Sequence, residues 1–206
     1  LCGLETRRCA ITYARNNPLK YVDPDGREVK YATPALAVAF KSVISQYPAV
    51  QEVFDLYSGP GAPDLNIGLG TPERDPDGFS PPAAFSADIF VDPATGYDWG
   101  KMNLDGSSPV LPDSGQFLVK AELKSGSIVV SPDFLSASVS GGKASKQFAK
   151  VAVHEMAHAK HAATDPVDYS KLRAKDMMTN PDGSPIKHDK RKIEKKANDY
   201  TDRIVR

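Results

Sequence analysis

Apolar residues recur at the spacing of one helix face in three parts of the chain, and shorter segments alternate apolar and polar positions. The first predicted helix covers 34–47, where Thr33 can cap the N-terminus and Pro34 suits the first turn. The second predicted helix has an apolar face formed by Phe148, Val151, Ala152, Val153, Met156 and Ala157. The third, near the C-terminus, has apolar positions at Ile193, Ala197, Tyr200, Ile204 and Val205.

Short strands are predicted between the first two helices, at 65–69, 87–91, 116–123 and 127–130. Residues 50–57 fit a short helix or a strand, and residues 58–82 have the composition of loops. Residues 131–135 are expected to end the last strand, and a glycine pair at 141–142 then precedes the second helix. We therefore expect an α+β fold in which a small mixed or antiparallel sheet packs against the second helix, with a further helix at the C-terminus.

The second helix carries the string His154-Glu155-Met156-Ala157-His158. Two histidines four residues apart lie one above the other on a helix face, close enough to bind one tetrahedral Zn²⁺ ion. The glutamate beside the first histidine can act as general base on a zinc-activated water in peptide hydrolysis. A buried glutamate is costly without a charged partner, and a metal ion supplies one. We expect one zinc ion bound by His154 and His158, with Glu155 catalytic.

Composition excludes only a few classes of function. The 206 residues suffice for one catalytic domain with a short appendage. Lys and Arg number 26, as do Asp and Glu, so no net field favours nucleic acid or an anionic membrane. No apolar run is long enough to insert into a bilayer, and Cys2 and Cys9 are expected to be free thiols. The chain begins at Leu1 without a signal peptide, so we expect a fragment of a longer protein.

The first thirty residues differ in character from the rest. Residues 13–26 read Tyr-Ala-Arg-Asn-Asn-Pro-Leu-Lys-Tyr-Val-Asp-Pro-Asp-Gly and alternate short extended pieces with turns. The Asn-Asn-Pro and Asp-Pro-Asp-Gly elements resemble the end of the RHS-repeat-associated core domain, which closes a β-shell before a variable C-terminal region. The resemblance covers roughly residues 1–28. It implies an RHS tail over 1–30 and a variable tip over 31–206, which in polymorphic toxins is commonly a toxic enzyme.

The order of a helix, a sheet and a helix with the H-E-x-x-H string resembles the N-terminal half of a zincin. A catalytic zinc also needs a third protein ligand. Glu194, Ala197 and Asn198 form a Glu-x-x-Ala-Asn pattern that resembles the second-helix signature of gluzincins, including the ImmA/IrrE-like metallopeptidases. The resemblance implies that Glu194 is the third ligand and that Asn198 hydrogen-bonds around the site.

Two aspartates remain as alternative third ligands. Asp165 and Asp168 follow the motif helix and would suit an aspzincin-type site, although the residue order departs from that family's Gly-Thr-x-Asp motif. His161 lies on the same helix face as His158, but one straight helix cannot easily place three ligands around one ion.

Zincins often use a Tyr or a His to stabilise the oxyanion of the tetrahedral intermediate. Three residues after the motif are candidates for this role, and the sequence does not choose among them: Tyr169, His188 and Tyr200.

We therefore expect a zinc metallopeptidase that is the C-terminal toxin domain of an RHS-type protein, itself secreted or at the cell surface, and that acts in a target cell. Its expected partners are a protein or peptide substrate and a cognate immunity protein, with no nucleic acid and no membrane insertion. Two alternatives stay open. One is a non-catalytic RHS tip that works as a binding module, and the other is a self-processing protease that cleaves its own parent protein.

Overall fold

The computed structural model of this chain describes residues 29–75, 77–91, 121–176 and 179–206. The RHS-like segment up to residue 28 lies outside these ranges, with both cysteines, and so do positions 116–120 of a predicted strand. Within the described ranges, no helix combines the length and the apolar character needed to cross a membrane.

A four-stranded mixed sheet forms the centre of the described fold. Its strands are β1 (Val29–Tyr31), β2 (Asp64–Leu69), β3 (Ala83–Val91) and β4 (Ala121–Val130), in the spatial order β1-β2-β4-β3. β1, β2 and β4 are parallel, whereas β3 pairs antiparallel with β4 and lies at the edge. The predicted α+β class with a small mixed sheet is confirmed.

β4 is one strand of ten residues, so the prediction of two strands with a break at 124–126 was wrong. Gly126 lies inside the strand, where it leaves room for an aromatic ring of β3. A Cβ at residue 126 would lie 2.7 Å from Phe85 Cε2. The glycine serves close packing of side chains here, and not a turn.

β3 starts at Ala83, four residues earlier than predicted. Alanine has a low intrinsic preference for strands. Pairing with Val130 and Val129 of β4 nevertheless places Ala83 and Ala84 in the sheet.

The first half of the chain also supplies α1 (Pro34–Gln46), a 3₁₀ turn (Pro48–Val50) and α2 (Gln51–Asp55). The Thr33 hydroxyl accepts a hydrogen bond from the Leu36 N–H at 3.3 Å, so the predicted cap and first helix are confirmed. Of the two alternatives for 50–57, the helical one is present over five residues.

A short helix, α3 (Pro132–Ser138), follows β4 where the sequence pattern predicted only the end of a strand. Pro132 stands in its first turn, a position that proline favours. The glycine pair then forms the turn of a small hairpin, between β5 (Val139–Ser140) and β6 (Lys143–Ala144). Both glycines have positive φ, which residues with a side chain rarely adopt.

Three helices complete the fold: α4 (Lys146–Thr164), α5 (Pro166–Asp176) and α6 (Lys192–Ile204). α4 is the central one and contacts β3, β4, α5 and α6. Its N-terminus is capped by Ser145, whose hydroxyl accepts from the Phe148 N–H at 3.1 Å. Phe148, Val153 and Met156 are fully buried, and each contributes about 1.5–3 kcal/mol by leaving water. This packing places the histidine motif between the edge strand and α6.

Candidate metal centre

Two helices bring three ligand-type side chains together. α4 presents His154 and His158 one turn apart, and α6 presents Glu194 from its first turn. Glu194 Oε2 lies 2.9 Å from His154 Nε2 and 3.3 Å from His158 Nε2, and the two Nε2 atoms are 3.2 Å apart. Ala197 is buried one turn after the glutamate, where its small side chain lets the helices approach closely.

The donor set and its spacing fit a tetrahedral zinc ion. Bonds of about 2.0–2.1 Å place tetrahedral ligand atoms roughly 3.3–3.4 Å apart. The three observed separations, 2.9, 3.2 and 3.3 Å, are close to that value. Two imidazoles and one carboxylate also leave a fourth position for water, as a catalytic zinc site requires.

The three groups are coupled electrostatically. Burial alone would raise the pKa of Glu194, but hydrogen bonds with His154 and His158 outweigh it and hold the pKa well below its usual range. Burial lowers the pKa of His158. It acts in the same direction on His154, but the hydrogen bond with Glu194 and nearby negative charge raise that pKa overall. Glu194 is therefore held as a carboxylate, the form that binds a cation.

Asn198 is an exposed residue of α6, one turn after Glu194, and its side chain acts on His154 in the direction of a higher pKa. The supporting role that the resemblance implies for Asn198 stays a prediction.

Glu155 is buried next to the ligands but has a different partner. Its Oε2 accepts a hydrogen bond of 2.7 Å from the N–H of Phe85 in β3. The other oxygen, Oε1, has no hydrogen-bond partner among the described residues. Burial raises the pKa of Glu155 to about 8. The edge strand thus orients one carboxylate oxygen and leaves the other unengaged.

His188, in a 3₁₀ turn (His188–Lys190) before α6, is a further donor at the site. Its Nε2 lies 3.3 Å from Glu194 Oε2, and its Nδ1 lies 2.6 Å from Asp75 Oδ2. The ligand atoms of His154, His188 and Glu194 all lie within 4.8 Å of one another. A carboxylate oxygen therefore faces each ring nitrogen of His188.

A network of charges, named here the Asp75–Arg191 network, holds His188 in place. The buried Arg191 places Nη1 2.9 Å from Asp75 Oδ2 and Nη2 3.5 Å from Asp77 Oδ1. Asp77 Oδ2 also accepts from the His188 N–H at 2.7 Å, and the Phe79 ring lies 4.4 Å from the His188 ring. The sequence analysis did not identify Asp75, Asp77 or Arg191 as site residues. Asp75 and Asp77 belong to an Asp-Pro-Asp-Gly string, which is typical of a turn.

The alternative third ligands make their contacts elsewhere. Asp165 Oδ1 accepts from the Asp168 N–H at 2.9 Å and so caps α5. Asp168 Oδ2 lies 2.9 Å from His161 Nε2 and pairs with Lys196. α5 starts at Pro166, because an Asp cap followed by Pro favours a helix start.

Of the three candidates for oxyanion stabilisation, His188 is the one in contact with the ligand cluster. The Tyr169 ring packs against Phe85 and His161, with centroids 6.0 and 5.5 Å away. The Tyr200 hydroxyl donates to Glu52 Oε1 at 3.0 Å.

A cavity of about 370 Å³ adjoins these groups. Its walls come from residues 83–86 of the edge strand, the loop 71–75 and Arg173 of α5, and Glu155, His158, His188 and Glu194 also line it. A space of this size can receive part of a peptide chain.

The position of Glu194 depends on a cap from the preceding helix. Asp176, buried at the end of α5, accepts hydrogen bonds from the N–H groups of Lys192 at 3.1 Å and Ile193 at 2.8 Å. A helix N-terminus is otherwise left with unpaired donors. Asp176 therefore fixes the first turn of α6, which carries the glutamate.

Comparisons with protein-family models, with curated proteins and with solved structures gave no match for this chain.

Proposed function

We propose that this chain is a zinc-dependent metallopeptidase of zincin-like fold, with one Zn²⁺ held by His154, His158 and Glu194. The observation that carries the proposal is the convergence of these three side chains from two helices, with donor atoms 2.9–3.3 Å apart. These three side chains are buried or half-buried beside a cavity, and a bound cation would further lower the cost of burying the carboxylate.

Bound zinc would supply Lewis acidity, which acidifies water and polarises a carbonyl group. Glu155 is the proposed general base, and its Oε1 would take the proton of the attacking water. The Phe85 N–H keeps the carboxylate oriented during that step. The proton then passes to the leaving amine.

His188 is proposed to stabilise the negative charge that develops on the substrate carbonyl oxygen. Its Nε2 lies beside Glu194, and the Asp75–Arg191 network restricts its ring. A donor fixed before reaction costs no reorganisation in the transition state. A role as fourth metal ligand is less suited to catalysis, because it would close the position needed for water.

The proposed biological setting rests on the sequence alone. The resemblance of residues 1–28 to the end of an RHS-associated core supports a toxin domain at the tip of an RHS-type protein, with an immunity protein as partner. Expression of this chain inside bacteria should then slow growth, and the Glu155→Gln variant should not. Equal growth of the two strains, at equal protein levels, would contradict the toxin proposal.

Metal content tests the proposed centre directly. Elemental analysis of the purified chain should find about one zinc per molecule, and His154→Ala or His158→Ala should leave less than about a tenth of it. His161→Ala is the matched control, since this histidine is on the same helix but pairs with Asp168. Near-full zinc in the His154 and His158 variants would refute the centre.

Glu155→Gln separates chemistry from metal binding. The variant keeps the shape of the side chain and should retain zinc, while peptide hydrolysis should fall by about 10²–10⁴-fold. Full activity of the variant on a substrate of the wild-type protein would exclude the proposed base. A chain that is zinc-free and inert would instead favour a binding module.

A further inference from the structure

A positively charged side chain that forms no ion pair with the described residues lines the cavity beside the candidate metal centre. Arg173, an exposed residue near the end of α5, lines this cavity together with Glu155 and His158. Within the described part of the chain, Arg173 forms no hydrogen bond and no ion pair. Its guanidinium is near enough to act electrostatically on Glu155 and His158.

Most of the other charged groups around the cavity are already engaged. Arg74 Nε donates to Ser80 Oγ at 3.1 Å, and Asp75 belongs to the network that holds His188. Glu73 is an exception, because it is exposed and has no partner among the described residues. The cavity therefore offers an unpaired positive charge on α5 and an unpaired negative charge on the loop before β3.

We propose that Arg173 determines specificity by binding a carboxylate of the peptide substrate close to the bond that is cleaved. The planar guanidinium can hold a carboxylate through two parallel hydrogen bonds. The carboxylate can belong to an acidic side chain or to the C-terminus of a peptide, since the two present the same group. This inference rests on the proposed peptidase function.

The test measures binding rather than cleavage. It uses the full chain with Glu155→Gln, loaded with zinc, and follows the anisotropy of fluorescent random peptide pools. One pool contains Glu and its counterpart has Gln at the same positions, and each is made with a free and with an amidated C-terminus. We expect a carboxylate-bearing pool to bind at least about tenfold more tightly than the neutral, amidated Gln pool. Adding Arg173→Gln should remove that preference, and Arg173→Lys should keep part of it.

Two matched variants control for net charge. Lys175→Gln removes a cation from the same helix but outside the cavity, and should keep the preference. Glu73→Gln removes the unpaired negative charge of the cavity, and should keep or strengthen it.

The arms of the experiment identify the source of the carboxylate. A preference between the amidated Glu and Gln pools assigns it to a side chain, and a preference only for free over amidated ends assigns it to the C-terminus. Equal or undetectable binding of all pools, or a preference that survives Arg173→Gln, would overturn the inference. Failure of the peptidase proposal would appear separately, in zinc content and in cleavage by the wild-type chain.

Discussion

At the scale of single residues, three carboxylates near the motif differ in what surrounds them. Glu194 faces the imidazoles of three histidines and is buried, so its charge is offset by groups that also suit a metal. Asp165 caps a helix, and Asp168 pairs with a lysine at the surface. The local partners, more than the distance along the chain, indicate which carboxylate can act as a ligand.

This difference leads to a prediction about the third ligand. Glu194→Gln should weaken zinc binding by at least about 10–100-fold. Changes to residues that only orient the ligands of other metal sites cause losses of that size, so the loss of a ligand should be no smaller. Asp168→Asn should leave affinity within about twofold of the wild-type value, since its contacts with Lys196 and His161 lie outside the proposed centre. Competition with a chromogenic chelator measures both affinities. The reverse ranking would indicate an aspartate ligand instead.

The sequence could indicate part of this site but not all of it. His154, Glu155 and His158 could be singled out because helix geometry alone relates residues one turn apart. Asp75 and Arg191 could not, because their contacts join segments more than a hundred residues apart and depend on how the loop before β3 folds back. A buried arginine in a Lys-rich segment gives no local signal.

At the scale of elements, the end of α5 determines where α6 begins. Asp176 accepts hydrogen bonds from the N–H groups of Lys192 and Ile193 at the start of α6, and Glu194 is the next residue. A shift of this turn would therefore move the glutamate relative to both histidines.

Asp176→Ala should lower the free energy of unfolding by about 1–2 kcal/mol through loss of the cap. It should also weaken zinc binding, although residue 176 touches no ligand atom. Urea unfolding of the metal-free protein and a zinc titration of the folded variant measure the two effects separately. As a control, Asp165→Ala removes the cap of α5 and should affect stability more than zinc. Unchanged zinc affinity in Asp176→Ala would show that the first turn of α6 is positioned by packing alone.

Elements with a strong local pattern could be predicted, and the others depended on tertiary partners. α1, α4 and α6 have an apolar face and α1 has a cap, which are local properties. Pairing across the sheet explains why β4 continues through Gly126 and why β3 starts early. The sequence of one strand does not show which strand it pairs with. The short helix α3 was not predicted, because seven residues are too few to show a helical period.

At the scale of the whole molecule, the proposed metal would join parts of the fold that are far apart in sequence. The histidines come from the central helix, which is packed on the sheet, whereas Glu194 comes from the C-terminal helix. Without a cation, the described contacts at this junction are hydrogen bonds among ionisable groups. A ligand that binds only the folded state stabilises it in proportion to the logarithm of its concentration.

Zinc should therefore raise the thermal stability of the whole chain. At free zinc about 100-fold above the dissociation constant, the stabilisation is about 2.7 kcal/mol, which for a chain of this length corresponds to a Tm increase of roughly 5–10 °C. Differential scanning calorimetry with excess chelator and with added zinc measures this shift. His161→Ala should show the wild-type shift, because its ring lies outside the proposed centre, and Glu194→Gln should lose about half of it or more at the same zinc concentration. If zinc raised the Tm of both variants equally, the ion would be bound elsewhere, and the proposed centre between α4 and α6 would be refuted.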